Sequence, residues 1–225
     1  MVGAQLSGRT AATSRAPLKC PELPHLEHLV LAESCAAVRA GKLSEESAAR
    51  FVLFSTLLEK HGSVPGDGGL TPEQGINIQF TSGTTGRPKA TLLSSRTIVN
   101  NGFLVARGQG LGPNARINVS VPLYHCFGLV MSNLAAFTVG GSVVYPSRVF
   151  SAQKALDVAA RFKCTSQQGV PTMFAAMLDE FRARPRELAL RTGIMAGAAC
   201  PPSLMRQVAE HLGLKDLVIC YGTCS

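Results

Sequence analysis

The densest chemical character in the chain stands at Thr81-Ser82-Gly83-Thr84-Thr85-Gly86-Arg87-Pro88-Lys89. Four hydroxyls and two glycines fall within positions 81–86. Glycine lets backbone N–H groups curl around an anion. The hydroxyls add donors for phosphate oxygens, and Lys89 adds positive charge at the far end. The chemistry this pattern predicts is a flexible clamp on a polyphosphate. It is not a Walker A loop, which needs four residues between its glycines and then Gly-Lys-Ser/Thr. Here the spacing is Gly83-x-x-Gly86-x-x-Lys89, and Pro88 opposes a helix start just after Gly86. On composition alone an exposed polar turn fits the same residues. Two single side chains also carry chemistry. His125 lies in an apolar run, where a lone histidine reads as a satisfied core or helix-end residue or as a pocket wall. Tyr221 reads as a strand-end aromatic.

The elements that position these residues follow from periodicity. Ile76–Phe80 is expected as a strand and Thr91–Leu93 as extended chain, so the loop should join two strands. Further strands are expected at Ile117–Val121, Gly141–Tyr145, Lys163–Gln168, Gly193–Met195 and Leu217–Tyr221. Helical spacing covers 95–107, 126–139, 151–162, 172–182 and 202–212. Ser151, Thr172 and Ser203 stand at or near the last three helix starts, and Pro171 and Pro202 suit first turns. Before residue 75, a short strand is expected within 26–32. A helix is expected over 44–61, with Ser44 as its N-cap and Gly62 ending it. Residues 62–75 are Gly- and Pro-rich and read as a linker. Strand–helix alternation predicts an α/β fold with a largely parallel sheet covered by helices. Ligands of such sheets bind beyond the carboxyl ends of the strands.

Charge is uneven. Residues 1–20 carry three basic groups and no acidic one, residues 21–75 four and eight, and residues 76–225 fifteen and six. The basic half suits phosphate-bearing partners or a solvated face. No basic cluster is interleaved with aromatics, which argues against nucleic acid. The longest apolar stretch, Phe127 to Val144, is broken by Ser132, Asn133, Thr138 and Gly140-Gly141, so no membrane span is expected. Seven cysteines (Cys20, Cys35, Cys126, Cys164, Cys200, Cys220, Cys224) show no Cys-x-x-Cys pair and no zinc spacing. They point to reduced thiols in an intracellular compartment, with Cys126, Cys164 and Cys220 expected in the core. The acid-free first twenty residues suit a mitochondrial transit peptide or a disordered start.

The string Ile78-Gln79-Phe80 through Lys89 resembles the phosphate-loop signature of the adenylate-forming, or AMP-dependent synthetase/ligase, superfamily. That superfamily includes acyl-CoA synthetases, luciferases and peptide adenylation domains. Ala90 stands where the family usually has glycine. Three more segments follow in the family's order. Pro122-Leu123-Tyr124-His125-Cys126-Phe127-Gly128 is similar to its second motif, which places His125 at an acyl pocket. Ala196-Gly197-Ala198-Ala199 is similar to the segment lying along adenine. Cys220-Tyr221-Gly222-Thr223 is similar to the start of the Tyr-Gly-x-Thr-Glu motif, whose tyrosine stacks on adenine. The surrounding text looks most like medium-chain acyl-CoA synthetases.

The resemblance implies that ATP activates a fatty acid to an acyl-adenylate, which coenzyme A then converts to a thioester. Thr81–Lys89 would hold the β- and γ-phosphates. Gly197, Ala198, Ala199, Tyr221, Gly222 and Thr223 would meet adenine. Mg²⁺ is the family's metal, but its glutamate ligand is replaced at Ser225, so no metal ligand is assigned. Residues 76–225 are then expected to be part of a synthetase/ligase domain, with 21–75 the remnant of a preceding subdomain. The small C-terminal domain with its adenylation lysine has no counterpart. The expectation is a catalytically incomplete ligase piece. The alternatives are a non-catalytic nucleotide- or acyl-binding remnant, or another adenylating enzyme of the superfamily.

Overall fold

The computed structural model describes Pro21 and residues 29–31, 51–54, 69–81 and 88–222. The chain divides into two compact units, Met1–Gly69 and Leu70–Ser225. In the first unit, strands β1 (Leu29–Leu31) and β2 (Phe51–Leu53) pair in parallel, Val30 opposite Val52. β1 lies inside the expected 26–32. The helix expected over 44–61 is corrected at 51–53, where the chain is extended. A three-residue apolar run has no period that separates strand from helix. The aromatic Phe51 and β-branched Val52 favour the pleated form once β1 supplies ladder partners. Ser44 and Gly62 lie outside the described residues.

The second unit opens with the antiparallel hairpin β3 (Gly75–Thr81) and β4 (Lys89–Ser94), with Ile78 opposite Leu92 and Thr81 opposite Lys89. The expected strand–loop–strand arrangement is present. A five-stranded sheet follows: β5 (Arg116–Val119), β6 (Ser142–Val144), β7 (Ser166–Gly169), β8 (Thr192–Ala196) and β9 (Asp216–Cys220). The order is β6-β5-β7-β8-β9, and every pair is parallel. The helices are α1 (Ser95–Gly108), α2 (starting at Cys126–Gly128), α3 (Ala152–Arg161), α4 (Pro171–Ala183) and α5 (Pro202–Leu212).

Helices cover both faces, so the middle strands are buried on both. β8 shows the period of two directly. Ile194 and Ala196 pack with Ala106 of α1 and Phe127 of α2. Met195 packs with Leu156, Phe174 and Val208 of α3, α4 and α5. β7 breaks the apolar rule: Ser166, Gln167 and Gln168 are fully buried. Most of their polar groups are taken up internally, while Gln168 Oε1 has no hydrogen-bond partner among the described residues. Ser166 Oγ and Gln168 Nε2 both donate to Gln109 Oε1 at 3.1 Å. Gln167 Nε2 donates to Ser120 Oγ, and Asn118 Nδ2 donates to Gln167 Oε1.

Ser151 caps α3, its Oγ accepting from Lys154 N. Thr172 and Ser203 do not cap. Val170 and Pro201 hold those positions without side-chain bonds, and Pro171 and Pro202 fill the first turns. α2 is not uniform: after Gly128 it widens into a π-helix over Leu129–Leu134 and tightens again over Ala135–Thr138. Ser132, fully buried in that stretch, donates from Oγ to Phe127 O at 2.8 Å. The expected strand at Lys163–Gln168 begins only at Ser166. Lys163 itself adopts φ 49, turning the chain between α3 and β7.

One ion-pair cluster ties α3 to the segment after α4. Arg186, 8% exposed, donates from Nε to Asp157 Oδ1 at 2.6 Å and from Nη2 to Glu180 Oε1 at 2.7 Å. The hydrogen bond from Arg186 holds the Asp157 carboxyl below its ordinary range, against the upward pull of burial. A carboxyl depressed on folding stabilises above its unfolded pKa of about 3.9, and that contribution is lost as pH falls through the folded value. Asp157 is half-exposed, so roughly 1 kcal/mol is at stake. Urea midpoints measured from pH 7 to pH 3 should fall further for the parent than for Asp157→Asn; parallel curves would contradict the assignment.

Candidate nucleotide and acyl site

Three groups of sequence-singled residues leave the carboxyl ends of strands in the second unit. The first is the loop between β3 and β4. Thr81 and Lys89 face each other as the last cross-strand pair, so the hairpin closes the loop at its neck. Thr81 is half-buried, and Pro88 and Lys89 are exposed. Ser82, Gly83, Thr84, Thr85, Gly86 and Arg87 lie outside the described residues. Ala90 pairs with Phe80 in the extended strand β4, so the departure from the family's glycine asks for no left-handed backbone there.

The second group stands on β8 and β9. Ala196 and Cys220 are the last register partners, so Gly197 and Tyr221 are the first residues to leave two adjacent strands, whose spacing in a sheet is roughly 4.8 Å. Gly197 has φ +84, a conformation that side chains rarely adopt, and a Cβ there would stand 3.2 Å from Val170 Cγ1. Cys200 Sγ lies 3.4 Å from both Met195 O and Ala198 O and donates into that turn. Ala198, Ala199 and Gly222 are exposed. The Tyr221 ring is wholly exposed, so it is not a strand-end core aromatic. Thr223 and Ser225 lie outside the described residues.

The third group follows β5. Pro122 to Gly128 forms a tight turn in which Gly128 approaches Pro122 O so closely that a Cβ would come within 2.3 Å. His125 is exposed and is the N-cap of α2; its Nδ1 accepts from Phe127 N at 3.0 Å. The helix-end reading of this histidine is therefore correct as local structure. Beside the turn lies a cavity of about 830 Å³ lined by Ser120, Leu123, Tyr124, Arg148, Phe150 and Met173, among others. Sequence reasoning missed the loop after β6 that supplies Arg148 and Phe150. The signal was there: the strand ending at Tyr145 puts its following residues on the ligand-binding rim. A smaller cavity of about 520 Å³, with Arg116 and Lys163, lies at the opposite, amino ends of the strands.

The thiols divide. Cys164 is fully buried, and burial pushes it up to about 11, an inert core group. Cys126 is half-exposed and outside the core clusters, correcting the core expectation for it, while Cys220 is half-buried and packs against the core beside Ile194 and Ala196. Cys126 opens α2 at the rim, and Cys220 ends β9, which bonds only to β8 among the described strands. Among the described residues, no three His, Cys, Asp or Glu side chains gather to hold a metal ion. No described helix is long and apolar enough to cross a membrane.

A parallel sheet covered on both faces, with an antiparallel hairpin before it, is the N-terminal fold of adenylate-forming enzymes. The anthranilate CoA ligase AuaEII, solved with anthranoyl-AMP, matches at TM-score 0.73 and 24% identity, covering 88% of this chain and 37% of that one. A malonyl-CoA ligase, solved with methylmalonyl-CoA and AMP, matches at TM-score 0.63 and 28% identity, covering 73% of this chain and 36% of that one. Residues 13–224 match the AMP-binding enzyme family, and the chain belongs to that family. The mitochondrial medium-chain acyl-CoA ligase ACSF2 of Danio rerio is 41% identical over 157 residues, 68% of this chain and 26% of the relative. The acyl-CoA ligase sidI of Beauveria bassiana is 42% identical over 154 residues, 68% of this chain and 27% of the relative. The chain thus spans about a quarter of the length of these curated relatives.

Proposed function

We propose that this chain is the nucleotide-gripping part of an ATP-dependent acid–thiol ligase acting on a medium-chain fatty acid, with coenzyme A as thiol substrate. The observation that carries the reading is the closed neck Thr81–Lys89 in a chain that also sets Gly197 and Tyr221 at the ends of two adjacent strands. The hydroxyls, glycine N–H groups and Lys89 would hold the β- and γ-phosphates. Adenine would lie along Gly197–Ala199 with the Tyr221 ring on its face, and Gly222 and Thr223 beside it. His125 and the 830 Å³ cavity would border the acyl group. A mitochondrial address fits the acid-free first twenty residues and the mitochondrial designation of the ACSF2 relatives.

Mg²⁺ would neutralise the triphosphate in such a reaction. The described residues offer no carboxylate cluster for it, and position 225 carries serine in place of the family's glutamate. These residues do not fit the ion. The same substitution favours nucleotide binding without catalysis by this polypeptide. ATP–pyrophosphate exchange with octanoate tests this. The 225-residue polypeptide should show none above a Lys89→Ala, Thr84→Ala control. Clear exchange above that control would refute catalytic incompleteness.

A further inference from the structure

The cavity of about 830 Å³ has an apolar wall that includes Leu123, Phe150 and Met173. Most hydroxyls in its lining are already placed. Ser147 Oγ donates to Val149 O at 2.5 Å, and Tyr145 Oη donates to Asn133 Oδ1 at 3.1 Å. Tyr124 is 85% exposed, so its hydroxyl stays in water. Ser120 is different. It is half-buried, it lines the cavity, and its Oγ accepts from Gln167 Nε2 at 3.2 Å.

The direction of that bond is fixed from behind. Gln167 Nε2 also donates to Gln168 O at 2.8 Å, and a backbone carbonyl can only accept, so the amide nitrogen must stand there. Gln167 Oε1 accepts from Asn118 Nδ2 at 2.7 Å, and that nitrogen is fixed in turn by donating to Ala155 O at 2.9 Å. Asn118 and Gln167 are fully buried, so solvent does not reach these bonds. Donation therefore runs one way, from Asn118 through Gln167 to Ser120. A hydroxyl that accepts a bond in such a chain donates its own hydrogen more strongly. Among the described residues no acceptor takes the Ser120 hydrogen. The row of donors ends at the cavity, on a hydrogen that the protein itself does not use.

We infer that Ser120 is a specificity-determining hydrogen-bond donor, and that the cavity takes an acyl chain carrying an oxo or hydroxy oxygen along its length in preference to a plain alkyl chain. The acyl part rests on the acid–thiol ligase reading, whereas the direction of the donor chain does not. A plain chain lying on Ser120 would strip water from its hydroxyl and put no acceptor in its place. That loss is what lets a hydrogen-bonding site reject an analogue lacking the group. An oxygen on the chain completes the row, while the apolar wall holds the carbon skeleton.

The reference probe is a non-hydrolysable octanoyl-sulfamoyl adenosine, and its analogues carry an oxo group on the third, fifth or seventh carbon. In calorimetric titrations of the parent, at least one oxo analogue should bind about tenfold or more tightly than the reference. The preference should vanish in Ser120→Ala and persist in Ser120→Thr, which keeps a hydroxyl. Reference binding with no oxo analogue tighter would overturn the inference, without recourse to any variant, and leave the ligase reading standing. A preference that survives Ser120→Ala, or is lost equally in Ser120→Thr, would overturn the donor role. Binding of none of the probes by the parent would overturn the ligase reading as well.

Discussion

Gly193→Ala is expected to cost about 3 kcal/mol or more of folding stability, enough to remove most soluble protein. Gly193 lies in the middle of β8, opposite Gln167 of β7. A Cβ there would stand 2.2 Å from Gln167 O and 3.2 Å from its carbonyl carbon. Both are backbone atoms of the central strand, so no rotamer change relieves the contact. Moving β7 aside would disturb the buried bonds from Gln167 to Ser120 and from Asn118 to Gln167. Each lost partner leaves a buried amide unsatisfied, which costs about 1–3 kcal/mol. Gly108→Ala is the control. It sits at the end of α1 with nothing within 4 Å of the added carbon, and should be neutral or slightly stabilising. Urea unfolding of both variants checks this. A Gly193→Ala midpoint equal to the parent's would mean that the β7–β8 approach is looser than described.

The contrast between those two glycines shows what the sequence could and could not reveal. Neither letter announces whether a neighbour's carbonyl stands where its side chain would be. Period and punctuation did locate the elements. The alternation of short apolar strands such as Ile117–Val121 and Leu217–Tyr221 with helical spacing, and Pro171, Pro202 and Ser151 at helix starts, made the parallel α/β layer legible from the residues alone. β2 was not legible, because Phe51-Val52-Leu53 is too short to carry a period and its state depends on a distant partner, Leu29–Leu31. The π-helical widening of α2 was equally hidden, since no residue pattern over Leu129–Leu134 marks it, and the close approach of Leu134 to Gly102 of α1 is a tertiary contact.

At the site, residue types gave the loop and the rim positions. The exit of Gly197 and Tyr221 from adjacent strands needed the β8–β9 register. The capping role of His125 needed the geometry of its ring, because the surrounding letters only narrowed it to a core, helix-end or pocket residue. Arg148 came to notice only with the cavity it lines.

Lys89→Ala is expected to weaken ATP binding by about 10- to 100-fold while leaving the fold intact. Lys89 is exposed at the first position of β4, so its side chain contributes little to packing. Its proposed task is to neutralise a terminal phosphate across the loop neck, and a charge-assisted hydrogen bond of that kind contributes about 1.5–3 kcal/mol. Melting should be unchanged within error. A variant that melts early and binds normally would place Lys89 in the structure and outside nucleotide binding.

If the segment from Thr81 to Lys89 grips the two outer phosphates, a nucleotide without them must lose that grip. Calorimetric titration of the parent with ATP and with AMP reads this directly. The expected result is ATP tighter than AMP by about tenfold or more, with the preference collapsing in Lys89→Ala. Equal affinities for ATP and AMP in the parent, or a preference untouched by Lys89→Ala, would contradict it.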